Sequence, residues 1–89
     1  MQEIYNRLAQ IHLEPAHTKN LKAFVGELNG NIKILERGFN VKIFQNGNKL
    51  SISGDHDSIQ KASNAINDLY ASTTKGIEIS REVIQMAIN

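Results

Sequence analysis

Cysteine is absent from the 89 residues, which removes both disulfide staples and thiolate metal sites and fits a reducing compartment. No apolar run approaches the ~18 residues needed to cross a bilayer. The opening segment MQEIYNRLAQ lacks the basic-then-apolar layout of a signal peptide, and no N-x-S/T sequon occurs. A cytoplasmic protein with no membrane partner is expected. A charge excess of one sign is also missing, since ten Lys and Arg stand against nine Asp and Glu, for a net charge of +1. Nucleic-acid affinity comes largely from counterion release, so this balance argues against tight autonomous binding and leaves local clustering as the route to any contact. Neither internal repeats nor low-complexity stretches are found. A chain of this length forms at most one domain and buries about 60–65% of its unfolded surface, which leaves little room for an enclosed active site.

What is present is a clear order of elements. In AQIHLEP, Ile11 and Leu13 alternate with His12 and Glu14 until Pro15 ends the run, the pattern of a strand. Upstream, Ile4, Tyr5 and Leu8 fall at helical spacing, so residues 1–8 read as a short helix or a frayed arm. Thr18 stands where a cap is wanted before a helix carrying Leu21, Phe24 and Val25, with Gly26 as its stop. A second helix starts at Asn29 or Asn31 and carries Ile32, Ile34 and Leu35. It is expected to end at Arg37-Gly38, a basic last turn followed by a glycine. Val41 and Ile43 alternate with Lys42 and Phe44. Asn46-Gly47-Asn48 then signals a tight hairpin returning through KLSIS with Leu50 and Ile52 inward. The longest helix is capped by Asp55, or by Asp57 with Gln60 in capping-box position, and shows Ile59, Ala62, Ile66 and Leu69 as one stripe up to Tyr70. ASTTKG reads as a polar hinge, IEI as a short extended piece, and SREVIQMAI as a short helix capped by Ser80. The order β-α-α-β-β-α predicts an α+β two-layer sandwich. Its three-stranded antiparallel sheet has the hairpin's return strand in the middle and helices on one face.

That order is the layout of a K-homology (KH) domain of the βααββα type, and FVGELNGNIKILERGFNVKIFQNGNKLSISGDHDSIQKASNAINDLY resembles such domains in residues as well. Within the superfamily, the LEPA segment and the NIKILERGFNVKI helix–strand join, followed by LSISGD, AINDLY and IEISREVIQMAI, resemble the amino-terminal module of PhoH-like proteins, a bacterial family. In that family the module precedes a P-loop ATPase domain with helicase-like character. The resemblance implies a KH-like domain over residues 9–72. Residues 73–89 would then form a linker and short helix leading to the ATPase domain. The chain has no G-x-x-x-x-G-K-[ST], so ATP and Mg would belong to that further domain, and no cofactor is expected within these residues. Single-stranded RNA and the protein's own ATPase domain are the implied partners, with homo-oligomers arising through the parent protein.

In KH domains a G-x-x-G loop between the two helices brings backbone amides and a helix N-terminus against the sugar-phosphate chain. The matching positions are Gly26, Glu27, Leu28 and Asn29, followed by Gly30. Asn29 replaces the second glycine, and Glu27 puts a carboxylate where phosphate would come, at a cost on the order of 1 kcal/mol at a surface. Lys22, Lys33, Arg37 and Lys42 offer compensation. The same residues also fit a plain helix-turn-helix with Asn29 as an N-cap. Aromatics make up 6% of the chain, and Phe39 and Phe44 are the only candidates for base stacking beside the loop, with Phe39 better suited to the core.

His12, His17 and His56 are scattered without ligand spacing, and Asp55 and Asp57 read as helix caps rather than a metal site. No nucleophile has a base partner at recognisable spacing, so no catalytic residue is assigned and the chain itself is not expected to be an enzyme. A second class stays open, an interaction or assembly domain without nucleic-acid binding. Glu27, the missing glycine and the apolar residues Ile77, Ile79, Val83, Ile84 and Ile88, which would need a covering partner, favour it.

Overall fold

The structure is a computed structural model that describes residues 7–89. Its elements are β1 (Arg7–His12), α1 (Thr18–Val25), a single 3-10 turn (Glu27–Asn29), α2 (Gly30–Phe39), β2 (Lys42–Asn46), β3 (Lys49–Gly54), α3 (His56–Thr74) and α4 (Arg81–Ile88). The sheet order is β1-β3-β2, with both pairings antiparallel, as the element order predicts. Of the expected amino-terminal arm, Ile4 and Tyr5 lie outside the described residues, whereas Leu8 belongs to β1 opposite Ser53. Its helical spacing is overridden by strand pairing.

The alternation of β3 divides the sheet into two faces. Leu50 and Ile52 point inward and are fully buried, while Ser51 and Ser53 point outward. The inward residues of the flanking strands, Ala9, Ile11 and Ile43, join Phe24, Ile32, Leu35, Phe39, Ile59, Ile66, Leu69 and Tyr70 from the helices in one core. The helices therefore cover one face and leave the other open, and the α+β, two-layer architecture is as expected. Gly47 takes φ 63° at the first position of the two-residue hairpin loop, the position where glycine is favoured in a type II′ turn. The loop is also tied to the end of β1. Leu13 N–H donates to Asn48 O at 2.8 Å, and Asn48 Nδ2 donates to Leu13 O at 3.1 Å.

At the helix ends the structure corrects several expectations. Thr18 is the first residue of α1 and not its cap. His17 holds that place in extended conformation, with no side-chain capping bond. The cap of α3 is Asp55, whose Oδ1 accepts from Ser58 N–H at 2.7 Å, so the Asp57–Gln60 box is not the cap. That bond is the main reason the Asp55 carboxyl is held below its usual range. Gly38 does not end α2. The helix runs on to Phe39 and closes on Asn40 in the left-handed region at φ 57°, ψ 50°. Gly38 is needed elsewhere, because a Cβ on it would overlap Ile88 Cδ1 and lie 2.8 Å from Ile88 Cγ1.

Helix α4 thus docks over a glycine notch in α2. It is capped by Ser80, which accepts from Val83 N–H at 3.2 Å, as expected. Ile84 is fully buried in the common core, and Ile79, Val83 and Ile88 pack against it. The expectation that these residues wait for a partner is therefore corrected for Ile79, Val83, Ile84 and Ile88, which pack into the chain's own core, whereas Ile77 is exposed, as is Met86. The expected hinge at Ala71–Gly76 is mostly the last turn of α3, and no strand forms at Ile77–Ile79. Ser72, Thr73 and Thr74 are helical nonetheless, and each hydroxyl donates back to its own helix, to Asp68 O, Tyr70 O and Ala71 O, which spares it from competing for solvent or turn partners.

Tyr70 fixes α3 against the opening segment. Its ring meets Phe24 edge-on at 5.8 Å, and its hydroxyl donates to Pro15 O across the core. Burial, helped by the Glu14 carboxylate, pushes the Tyr70 hydroxyl above its ordinary value.

Candidate nucleic-acid interface

The loop between α1 and α2 is a bend with two consecutive residues in the left-handed region. Gly26 ends α1 at φ 79°, ψ 169°, a region that only glycine adopts freely. Leu28 (φ 55°, ψ 34°) and Asn29 (φ 59°, ψ 27°) then take left-handed conformations in succession before α2 resumes at Gly30. Asn tolerates that region, so Asn29 in place of a second glycine keeps the bend. Asn29 holds the N-cap position of α2, as read from the sequence, but its side chain makes no capping bond. The bonding role passes to Asn31. Its Nδ2 donates back to Phe24 O at 3.0 Å and to Ala23 O at 3.4 Å, tying the start of α2 to the end of α1.

Three of the loop amides are used internally: Gly26 N–H donates to Lys22 O at 3.0 Å, Asn29 N–H to Gly26 O at 3.1 Å, and Gly30 N–H to Glu27 O. The loop tip is Leu28, 87% exposed, with Glu27 exposed beside it. Lys22 lies in the last turn of α1, and Lys33 and Arg37 are four residues apart on α2, all three exposed. Lys42 is exposed at the start of β2. Arg37 and Lys42 line one open depression of about 460 Å³ with Glu36, Asn40, Val41, Ser53 and Gly54. Phe39 is core, as expected, and Phe44 stands out into solvent on the other face of the sheet.

Glu36 is the residue that sequence reading missed. Its Oε2 accepts from Ile43 N–H at 2.8 Å, so the carboxylate satisfies an outward-pointing amide on the edge strand β2. The signal was its spacing. Glu36 lies four residues after Ile32 and three before Phe39, on the inward stripe of α2, where a carboxylate needs a donor. The depression therefore contains one carboxylate as well as two cations. His12, His17 and His56 are all exposed, and among the described residues no three His, Asp or Glu side chains gather as a metal site. No helix of the described residues is long and apolar enough to cross a membrane.

A βααββ core with a bent loop between its helices and a three-stranded β1-β3-β2 sheet defines the class: the fold is KH-like. Solved structures bear this out. Dim2p from Pyrococcus horikoshii OT3 superposes with a TM-score of 0.73 at 18% identity, covering 93% of this chain and 48% of that one. A protein of unknown function from Aeropyrum pernix gives 0.72 at 18% identity, covering 93% and 45%. The complex of a/eIF2alpha, aDim2p and rRNA from Pyrococcus horikoshii OT3 gives 0.74 at 16% identity, again covering 93% and 45%. In sequence, the chain shows weak homology to a PhoH-like protein of Bacillus subtilis (strain 168), 37% identical over 57 residues. That match takes in 64% of this chain and 18% of the relative, so the chain spans a small part of that protein and about half of the solved structures. No family model matches the chain.

Proposed function

We propose that this chain is the amino-terminal KH-like module of a PhoH-like protein, where it assists the RNA-related work of a P-loop ATPase by weak contact with nucleic-acid backbone. The observation that carries the reading is the bend from Gly26 to Gly30, held by Asn31 between two helices and followed by Lys33 and Arg37. The likeness to a PhoH-like protein and the presence of rRNA in the complex of one structural neighbour support it. Lys22, Lys33, Arg37 and Lys42 are the residues assigned to phosphate, with the loop positioning the strand. ATP and Mg would be bound by a separate domain of a longer protein, which a Walker A motif in the reading frame beyond Asn89 would reveal.

The test is a titration of a short single-stranded RNA followed by fluorescence anisotropy at several salt concentrations. Four cations on phosphate give a slope of log affinity against log salt of about −2.8. Lys33→Gln with Arg37→Gln should cut that slope by about 1.4. Absence of binding near ~50 mM salt, where phosphate contacts are strongest, would overturn the reading.

Glu27, Glu36 and the exposed Leu28 favour a second reading, an assembly domain that binds no nucleic acid. Light scattering over a concentration series separates the two. Self-association without RNA binding supports this alternative, and a monomer that binds RNA supports the first reading.

A further inference from the structure

We infer that the open face of the sheet is a second contact surface for single-stranded nucleic acid, centred on Phe44 and Lys49 and meeting the depression beside α2 only at Lys42 and Ser53. The register aligns three outward rows: Leu8–Ser53–Lys42, Gln10–Ser51–Phe44 and His12–Lys49–Asn46. Adjacent strands lie about 4.8 Å apart and successive rows about 7 Å apart, so the surface is a shallow plate roughly 10 Å wide. No Asp or Glu occurs on any of the three strands, whereas Lys49 and His12 stand on this face and Lys42 stands at the rim shared with the depression beside α2. The helix–loop side, by contrast, carries Glu27 and Glu36 among its cations. Glu14, just beyond the end of β1, is engaged by Asn48 Nδ2 at 3.4 Å.

Phe44 is 71% exposed in the middle row. Its cross-strand neighbour is Ser51, and Gln10 lies beyond, so nothing bulky on the central strand crowds the ring. An exposed aromatic face flanked by cations, hydroxyls and amides is what a splayed nucleotide uses: the base stacks, the phosphates meet lysine, and the hydroxyls and amides meet sugar and base edges. A protein partner is a poorer fit. Leu8 and Phe44 are on opposite flanking strands in different rows, with serines between them, and form no contiguous apolar patch.

The experiment uses the whole chain and an unstructured single-stranded RNA of about 12 nucleotides. Phe44→Ala and Lys49→Gln are the informative variants, because neither residue belongs to the loop or lines the depression beside α2. Both are surface changes, so circular dichroism and the thermal midpoint should stay as in the parent chain. Phe44→Ala should weaken binding about tenfold, and Lys49→Gln should reduce the salt slope by about 0.7. Amide shifts on RNA addition should appear at Leu8, Gln10, Phe44 and Ser51, none of which lines the depression beside α2. Shifts at these strands with the loop unmoved would support the plate and count against the loop. Shifts confined to Gly26–Lys33, with both variants binding normally, would overturn the plate and leave the loop reading standing. Displacement of the RNA by a poly-glutamate peptide of similar length, with Phe44→Ala without effect, would mean an acidic protein partner and would also overturn it.

Discussion

Replacing Gly26 with alanine should break the bend in two separable ways. Gly26 sits at φ 79°, ψ 169°, where a residue with a side chain carries roughly 1–3 kcal/mol of backbone strain. The added Cβ would also lie 2.8 Å from both Cγ and Nδ2 of Asn31 and 3.0 Å from the Asn31 backbone nitrogen. The Asn31 side chain must give way, and with it goes the 3.0 Å bond to Phe24 O, worth about 1 kcal/mol. The two effects together come to about 2–4 kcal/mol. For 89 residues the whole stability is about 4–13 kcal/mol, so the loss is a large share of it. Urea unfolding of the parent chain, Gly26→Ala, Asn31→Ala and the double variant measures both parts. Asn31→Ala alone should cost about 1 kcal/mol, and Gly26→Ala should cost about that much less when Asn31 is already alanine. A Gly26→Ala penalty below about 0.5 kcal/mol, the range of an ordinary surface change, would refute both the backbone geometry and the contact.

Three further perturbations probe the frame that holds the loop. Gly38→Ala fills the notch under Ile88, so amide exchange at the end of α4 should accelerate while α2 keeps its protection; unchanged exchange would mean that Ile88 does not dock there. Tyr70→Phe removes the hydroxyl bond to Pro15 O and should cost about 1 kcal/mol in urea unfolding. Because the Tyr70 pKa is raised, its contribution is complete below pH 10.0 and lost as pH climbs through the higher folded value, so Tyr70→Phe should also flatten the alkaline decline in stability. The Asp55 carboxyl is shifted the other way. Its contribution is present above the unfolded value of 3.8 and disappears as pH falls through the lower folded value. Asp55→Ala should lower the thermal midpoint at neutral pH, and the two proteins should converge in acid.

The features legible in the sequence are those fixed locally. Gly26 stops α1 because its backbone is left-handed there, Gly47 makes the hairpin for a related reason, and the Ile59–Ala62–Ile66–Leu69 stripe buries as its spacing demands. What was not legible depends on partners distant in the chain. Leu8 keeps helical spacing with Ile4 and Tyr5, yet the pairing partner that makes it a strand residue is Ser53. Gly38 looks like a helix stop until Ile88, fifty positions on, is seen lying against it. Two aspartates could cap α3, and the extended backbone at Asp55 decides between them. At the candidate interface the place of the bend and the exposure of Lys22, Lys33, Arg37 and Lys42 follow from local pattern. The role of Glu36 does not, because it needs the amide of Ile43 brought alongside by the fold.

Glu36 also ties the stability of the module to the weakness proposed for its loop-side contact. β2 is an edge strand, and an edge strand left open invites pairing with another chain. The carboxylate occupies the outward amide of Ile43 and so takes one ladder position from any incoming strand. The same carboxylate stands in the depression where Arg37 and Lys42 would meet a phosphate, and Glu27 adds a second negative charge at the loop. Closing the edge therefore subtracts from the positive field on that side. The rows of Phe44 and Lys49 on the open plate lie outside the lining of that depression, their strands carry no carboxylate, and their central ladder is already paired on both sides. A chain whose total charge is only +1 can still hold a polyanion where its cations gather locally, and the strands, which carry Lys42 and Lys49 and no carboxylate, are one such place.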